Sequence, residues 1–418
     1  MEAPLRATDR PLARMDLDLP PPTLVEDARG MERLVHDLER QSEIAVDTEA
    51  DSFFNFREKV CLVQITAEDR DYLVDPLAGL DISPLGRILA DPARTKVFHD
   101  GEYDILILKR DHGFEFGNLF DTRVAAAALG EESPGLASVL RAHFGIELDK
   151  SLQRSNWSHR PLSPEQVRYA RLDTRFLIPL MHQQRDELRR RGRMMIVEGE
   201  CRRLERLVPV EPSFDPGDFI HLKGARKLDA HSQQCLRELF ALRHRLAGAS
   251  NLPPFKVLNN QALVELAVAK PRSLRELVSL SAISQRQVRR LGDQVVQACE
   301  RARRLGPLER QPPPARREGE EPLTDEEWEL HERLKRWRSE RAQREGFDAS
   351  LVLNRHVLLR LAKRKPRTLE ELDEVEGLIE WQLERFGEDI VQLVRSSLDE
   401  IAAGGLPRPR RGTRRGRG

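Results

Sequence analysis

Apolar and polar positions follow one pattern before about residue 207 and another after it. In the first part, Met31, Leu34, Val35 and Leu38 have the spacing of a helix. Short runs rich in β-branched residues predict strands at "IAVDT", "VCLVQIT" (60–66), "DYLVD" (71–75) and "TKVFH" (95–99). Helical patterns then cover about 101–113 and continue to about 207, the longest beginning at Ser163-Pro164. Residues 23–207 are therefore predicted to form an α/β domain with a mixed sheet flanked by helices.

The rest of the chain carries a helical internal repeat. After a linker rich in Pro and Gly (208–227), "VLNNQALVELAVAKPRSLRELVSL" begins at Val257 and "VLNRHVLLRLAKRKPRTLEELDEV" at Val352. The offset is 95 residues and about half of the aligned positions are identical. This pattern predicts a duplicated all-helical unit, here called module 1 (228–305) and module 2 (324–400). A spacer rich in Pro and charge (306–323) separates the modules, and residues 1–22 and the Arg/Gly tail 401–418 are expected to be flexible.

Composition narrows the class of protein. The 418 residues are 33% charged with a formal net charge of zero, and no run of about 18 apolar residues predicts a membrane span. No secretory signal is recognisable, and four scattered cysteines favour a cytoplasmic protein with reduced thiols. The two modules differ in charge. Residues 228–302 hold 11 Lys and Arg against 6 acidic residues, whereas residues 324–399 hold 14 against 18, so module 1 is expected to contact nucleic acid more strongly.

Four carboxylates lie on or beside apolar runs, where a charge is costly unless it is compensated. Asp47 and Glu49 share one face of a predicted strand, Asp104 belongs to the helix after the fourth strand, and Asp173 follows Tyr169 by one helical turn. If these elements converge, the carboxylates repel one another unless cations or shared protons are present. Hard oxygen ligands suit Mg²⁺ or Mn²⁺, and two such ions can promote hydrolysis of a phosphodiester.

The motifs that carry these residues resemble those of ribonuclease D, a DEDDy 3′–5′ exonuclease with an RNase H-like (DnaQ-like) fold. "VDTEADSFF" with "KVCLVQI", "KVFHDGEYDI", and the segment from Trp157 through Asp173 are similar to the three exonuclease motifs. The modules are similar to HRDC domains, which are auxiliary nucleic-acid-binding units. The resemblance implies Asp47, Glu49, Asp104 and Asp173 as ligands of two divalent ions, and Tyr169 as the residue that orients the attacking water.

The same resemblance implies a metal-dependent exoribonuclease that releases nucleoside 5′-monophosphates, with tRNA precursors as its substrates. We expect it to act as a monomer, without a membrane partner. An exodeoxyribonuclease remains an alternative, because the acidic residues do not distinguish RNA from DNA. A nucleic-acid-binding scaffold with a dead site is less compatible with five intact site residues.

Contacts to nucleic acid are predicted at a larger set of residues, which are Phe54, Gln64, His99, Arg160, Gln166, Lys256, Lys270 and Arg272. Several have structural alternatives: His99 could be a hydrogen-bonded residue at a strand end, and Gln64 could make an internal bond. Arg160 and Gln166 could touch phosphate or organise the loop of the third motif. Phe53, Phe54 and Phe56 could stack on bases or belong to the core, with Phe54 preferred as the stacking residue. Asp51 is expected to be a solvated loop carboxylate, Asp121 a helix N-cap, and Pro179 the cause of a helix kink.

Overall fold

A computed structural model describes residues 19–210, 213–280, 282–309 and 323–404. The expected flexible N-terminal segment, the spacer and the Arg/Gly tail therefore lie wholly or mostly outside the described residues. No helix in the described ranges is long and apolar enough to cross a bilayer.

The first domain is a six-stranded mixed sheet with helices packed on it, which confirms the predicted α/β class. The strands are β1 (Thr23–Val25), β2 (Glu43–Ala50), β3 (Val60–Ala67), β4 (Arg70–Val74), β5 (Thr95–Phe98) and β6 (Leu119–Asp121). Their order is β1-β4-β3-β2-β5-β6. Strand β3 runs antiparallel to β2 and β4, while β5 is parallel to β2 and to β6.

Several helices of this domain begin at a residue whose side chain caps the first turn, and several end at a glycine with positive φ. They are α1 (Ala28–Leu38), α2 (Leu85–Ala90), α3 (Glu102–His112), α4 (Thr122–Leu129), α5 (Leu136–Phe144), α6 (Pro164–Arg175), α7 (Leu177–Arg190) and α8 (Met194–Glu205). Asp121 caps α4 by accepting from the backbone N–H groups of Arg123 and Val124, as predicted. The long helical pattern is interrupted at Phe176, close to Pro179, where the ring removes one backbone donor.

The two faces of β3 bury different partners, because its side chains alternate. Val63 and Ile65 belong to the main core with α1 and α3, whereas Leu62 packs with Trp157 and Ala170 beneath α6. A buried ion pair of 2.8 Å between Arg171 and Asp71 anchors α6 over the sheet. The helix that carries Tyr169 and Asp173 is thereby fixed above the central strands.

The modules repeat the same five-helix arrangement with the predicted offset. Module 1 contains α9 (Ala230–Ser250), α10 (Pro254–Val257), α11 (Asn260–Ala269), α12 (Leu274–Ser279) and α13 (Gln285–Leu305). Module 2 contains α14 (Asp325–Glu345), α15 (Ala349–Val352), α16 (Arg355–Arg364), α17 (Leu369–Asp373) and α18 (Glu380–Ala402), and each begins 95 residues after its counterpart.

The segment that the sequence presents as a linker (208–227) takes part in module 1. It contains two short 3₁₀ helices, Pro216–His221 and Ala225–Lys227. Phe219 and Ala225 are buried in the same core as α9 and α13. Burial of these two apolar side chains stabilises the packing of the segment on module 1, so the segment is part of the module and not an extended linker.

The two modules dock on the first domain in different ways. Leu330, Leu361 and Phe386 of module 2 lie in the same continuous core as the sheet. Module 1 has its own core and meets the first domain through the loop that follows β2, where the partly buried ring of Phe56 packs against it. The sequence alone did not predict this difference.

Candidate active site

The site lies beyond the point where β5 stops pairing with β2. That pairing covers only Glu43–Ala45, so the outer half of β2 has a free edge. There the Thr48 N–H donates to Asp104 Oδ1 at 3.1 Å, and the Thr48 hydroxyl donates to the same oxygen. Asp104 lies in the first turn of α3, where a carboxylate is favoured by the helix dipole.

Asp47 and Glu49 lie on the face of β2 that is covered by α6. Asp47 is paired with Gln64 across the antiparallel ladder, and Glu49 is paired with Leu62. Each of Asp47, Glu49 and Asp173 offers an oxygen, and these three oxygens lie within 4.8 Å of one another. Asp104 is near enough that its charge raises the pKa of Asp47 and of Glu49. The structure thus brings together the four carboxylates that the sequence singles out.

Burial and mutual repulsion dominate the electrostatics of this cluster. Burial, followed by the charges of Asp173 and Asp104, raises the pKa of Glu49 to about 9. Burial raises the pKa of Asp173 to about 8, although an interaction with the Tyr169 hydroxyl opposes the shift. The pKa of Asp104 rises only to about 6, since hydrogen bonds from Thr48 favour the charged form. The pKa of Asp47 is raised well above its ordinary value by burial and by the other three carboxylates.

This donor set fits a hard divalent cation. Carboxylates that repel one another at this separation are stabilised as anions only by a positive partner, and no Lys or Arg contributes to the pKa shifts of Asp47, Glu49 or Asp173. Oxygen ligands of this kind are those that Mg²⁺, Mn²⁺ and Ca²⁺ accept. The cluster can therefore hold divalent metal, and the residues that would do so come from β2, α3 and α6.

Tyr169 lies on the same face of α6 as Asp173, one turn earlier. Its ring packs against Trp157, with the two ring centroids 5.9 Å apart. Burial, followed by the charges of Asp173, Glu49 and Asp47, raises the pKa of the phenol well above its usual range. The hydroxyl therefore stays protonated and remains able to donate a hydrogen bond beside the carboxylates.

The residues predicted to contact nucleic acid do not lie together in the structure. Arg160 is one of those that bond within the protein. All five N–H donors of its guanidinium are used within the protein, on Asp75 and on the carbonyl oxygens of Cys61, Trp157 and His159. The prediction that Arg160 contacts nucleic acid is thereby corrected, because no donor remains for a phosphate, and the arginine instead organises the loop, which was its structural alternative.

Gln166 and His99 are also occupied internally. Gln166 forms a capping box with Ser163 and donates to the Ser155 hydroxyl at 3.0 Å, which organises the segment before α6. His99 Nδ1 lies 2.8 Å from the Thr122 hydroxyl, and burial lowers the pKa of the imidazole to about 4. A neutral, hydrogen-bonded histidine at a strand end agrees with the structural alternative and not with a phosphate contact.

Gln64 is fully buried, so no atom of its side chain is accessible to a nucleotide. Neither its amide oxygen nor its amide nitrogen has a partner among the described residues. The internal hydrogen bond that was the structural alternative for Gln64 is therefore not formed among the described residues either, and a buried amide without a partner, on the strand residue that pairs with Asp47, is costly.

The remaining predicted contacts belong to module 1 and the loop facing it. Lys256 Nζ lies 4.0 Å from the centre of the Phe54 ring, so both residues lie where module 1 meets the loop after β2. Lys270 and Arg272 line a pocket of about 250 Å³ at the far end of α11, together with His231, Glu276 and Arg303. The structure does not bring these two residues to the acidic cluster.

Asp51 is buried, although the sequence predicts a solvated side chain at this position. Its side chain has no exposed surface, so the expectation of a solvated carboxylate was wrong. Asp51 Oδ1 accepts from the Lys59 N–H at 2.9 Å, and its backbone carbonyl accepts from Phe54 and Asn55. The Asp51 carboxylate thus joins the first and last residues of the loop 51–59. The side-chain contact to Lys59 spans eight residues, which is longer than the spacing of a turn motif that the sequence would show.

Comparison with known proteins identifies the class first. A family model described as a 3′–5′ exonuclease matches residues 22–189, which cover the sheet and all four acidic residues of the cluster. A model of the HRDC domain matches residues 232–299 and 328–394, one within each module. The fold and the site thus define a 3′–5′ exonuclease with two helical modules.

Similarity to whole proteins narrows this class. The chain is 32% identical over 299 residues to ribonuclease D of Zymomonas mobilis, covering 68% of this chain and 74% of that protein. It is 31% identical to the exosome complex exonuclease RRP6 of Saccharomyces cerevisiae, over 62% of this chain and 38% of the yeast protein. Among solved structures, Escherichia coli RNase D matches with a TM-score of 0.62 and 25% identity over 90% of this chain and 99% of that one.

The chain belongs to the ribonuclease D family. It is accordingly a 3′–5′ exoribonuclease, and none of the relatives described above favours an enzyme that acts on DNA.

Proposed function

We propose that this exoribonuclease trims the 3′ ends of structured RNA in the cytoplasm, with tRNA precursors as substrates, by hydrolysis that depends on two Mg²⁺ or Mn²⁺ ions. The observation that carries the proposal is the convergence of Asp47, Glu49 and Asp173 oxygens within 4.8 Å, with Asp104 beside them. Divalent cations held by these carboxylates would activate the attacking water and stabilise the leaving oxygen.

The residues of the chain supply the positioning. Tyr169, held by Trp157, directs its protonated hydroxyl toward the carboxylates, where it can hold the attacking water in line with the last phosphodiester. The water oxygen forms the new bond to phosphorus and the bond from phosphorus to O3′ breaks. The penultimate nucleotide leaves with a free 3′-hydroxyl, and the product is a nucleoside 5′-monophosphate.

All residues of this mechanism come from one chain, which supports a monomer as the active form. The four cysteines are free and buried, as expected for a protein of a reducing compartment. Module 1, with its excess of positive charge, supports an RNA partner.

Matched RNA and DNA oligonucleotides with free and blocked 3′ ends test the proposal. Cleavage should require a free 3′ end, prefer RNA, stop on addition of EDTA and resume with Mg²⁺ or Mn²⁺. Asp47→Asn should lower kcat at least about 10³-fold without loss of structure by circular dichroism, since a ligand carboxylate is lost. Cleavage that persists in EDTA, or that ignores a 3′ block, would contradict the proposal.

A further inference from the structure

The loop 51–59 begins two residues after Glu49 and contains three phenylalanines that have different surroundings. Phe56 packs against His244 of module 1, with ring centroids 5.0 Å apart. Phe54 is covered by Lys256. Phe53, in contrast, is 46% exposed, and the ring is approached by a single cation from the first domain itself.

That cation is Arg154. Its guanidinium carbon lies 5.6 Å from the centre of the Phe53 ring. Arg154 is exposed, and among the described residues no carboxylate pairs with it. It lies three residues before Trp157, which packs on Tyr169, and its neighbour Ser155 is held by Gln166. The loop after Glu49 and the segment before Tyr169 therefore meet at Phe53 and Arg154.

Exposure of an aromatic ring does not by itself indicate a binding site, since Trp328 and Phe255 are more exposed than Phe53. The particular feature of Phe53 is its combination of three properties, namely a loop fixed by buried Asp51, an unpaired cation over the ring, and a position four residues from a site carboxylate. A cation–π contact at an exposed site is weak, about 0.5–1 kcal/mol, so a ligand can replace it.

Single-stranded RNA offers both chemical partners for this pair. Every base has a π-face that stacks on an aromatic ring whatever the sequence, and a guanidinium binds phosphate oxygens in a bidentate manner. We propose that Phe53 and Arg154 form a subsite for the single-stranded 3′ end of RNA, in which Phe53 stacks on a base and Arg154 binds a phosphate. This inference rests on the proposed function and adds two substrate-binding residues to it.

Steady-state kinetics on a short single-stranded RNA test the subsite. Phe53→Ala should raise KM roughly tenfold and leave kcat within about twofold, because stacking contributes about 1–3 kcal/mol to binding and not to the chemical step. Phe53→Trp, which keeps a stacking surface, should retain the wild-type KM. Arg154→Gln should also raise KM and should reduce the dependence of binding on salt.

Binding measured without turnover provides the second readout. Fluorescence anisotropy of the same RNA in EDTA should show the rise in Kd for Phe53→Ala and Arg154→Gln. Trp328→Ala and Arg336→Gln remove an exposed aromatic ring and an exposed arginine from module 2, and serve as matched controls with unchanged KM and Kd.

Unchanged KM and Kd in Phe53→Ala, or a Phe53→Trp variant as weak as Phe53→Ala, would overturn the subsite. A fall in kcat at constant KM would overturn it as well. In each of these cases the wild-type enzyme still degrades RNA from the 3′ end, so the proposed function stands. If the wild-type enzyme failed to cleave RNA, the proposed function itself would fail.

Discussion

At the scale of single residues, the ring and the hydroxyl of Tyr169 lie in different environments. The ring is fixed by Trp157, whereas the hydroxyl faces the acidic residues. Removing only the oxygen should therefore leave the fold unaltered and affect catalysis alone.

Tyr169→Phe is expected to lower kcat about 10²-fold, the lower range for loss of a group that positions a reacting proton or water, with KM nearly constant. Single-turnover kinetics with RNA would measure the effect. Tyr72→Phe is the matched control, because the Tyr72 hydroxyl donates to Asp37, a residue of α1 and not one of the four site carboxylates. A Tyr169→Phe enzyme with full kcat would exclude the proposed role of the phenol.

The raised pKa values of the cluster predict how stability depends on pH. Burial raises the pKa of Glu49 to about 9 and of Asp173 to about 8, above the ordinary carboxyl value near 4. Between these limits the native metal-free protein binds more protons than the unfolded chain. The associated stability is fully present below about pH 4 and is lost as pH rises through about 8–9.

Urea unfolding in EDTA should therefore show a free energy of unfolding that decreases from about pH 5 to about pH 9. Glu49→Gln should flatten this dependence, because one of the raised groups is removed. Added Mg²⁺ should also flatten it, since cation binding favours the deprotonated carboxylates. A wild-type slope that is zero, or of opposite sign, would contradict the assignment of raised pKa values.

Residue types alone did not decide which polar residues face a ligand. Arg160 and Arg154 are both arginines in the segment around Trp157, yet the first uses every donor internally and the second uses none on a carboxylate. Two partners of Arg160, Cys61 on β3 and Asp75 just after β4, lie 99 and 85 residues away in sequence. Such contacts depend on tertiary packing, which a local pattern does not contain.

At the scale of elements, the long periodic segments were predictable and the short ones were not. The predicted strands within 43–99 and the helices α1 and α3 appear within a few residues of their expected ends. Strands β1 and β6 contain three residues each, too few to show an alternating pattern. They form because neighbouring strands offer free edges on which they can pair.

The contact between α8 and α18 is a close approach that one glycine permits. A Cβ atom at Gly199 would lie 2.3 Å from Cδ1 of Trp381, a buried side chain of module 2. Gly199→Ala is therefore expected to destabilise the protein by about 1–3 kcal/mol through overpacking, measured as a lower midpoint of thermal unfolding.

Gly248→Ala is the appropriate comparison for that variant. Gly248 also lies in a helix and faces an aromatic ring of another segment, but its Cβ would lie 3.5 Å from Phe56, which is an ordinary contact. It should not lower stability. Equal stability of the Gly199→Ala variant and the wild type would show that module 2 can move away from α8 at no cost.

At the scale of the whole molecule, the modules share a fold and differ in what they offer to RNA. The repeat offset pairs Lys270 with Lys365 and Arg272 with Arg367. Lys270 Nζ bonds the Ser232 hydroxyl at 2.6 Å, whereas Lys365 Nζ forms ion pairs with Glu326 and Glu327. The residues that correspond to these two glutamates in module 1 are His231 and Ser232. The same surface is thus neutralised in module 2 and remains cationic in module 1.

Replacing both Lys270 and Arg272 by Gln should therefore raise the Kd for RNA several-fold at low salt, because the local positive charge that attracts phosphate is reduced by two. The equivalent pair Lys365→Gln and Arg367→Gln should have little effect. Fluorescence anisotropy at two salt concentrations would measure both. Deleting 228–302 should likewise weaken RNA binding more than deleting 324–399, and equal losses would contradict this account of the modules.

The different docking of the modules was not predictable from their similar sequences. Module 2 adds Leu330 and Phe386 to the core of the sheet, so its removal exposes apolar surface of the first domain. Module 1 meets the first domain mainly through the loop after β2. Deletion of module 2 should consequently lower the thermal stability of the nuclease domain more than deletion of module 1.

Asn251, at the end of α9, adds hydrogen bonds to the aromatic contacts between module 1 and that loop. Its side-chain oxygen accepts from the Arg57 N–H, and its amide donates to Asn55, across separations of 194 and 196 residues in the chain. The position of the loop 51–59, which begins two residues after Glu49, is therefore set jointly by two parts of the polypeptide that are remote in sequence. We therefore expect substitutions in module 1 to shift this loop, and with it the choice of substrate, in the course of evolution while the four carboxylates stay the same.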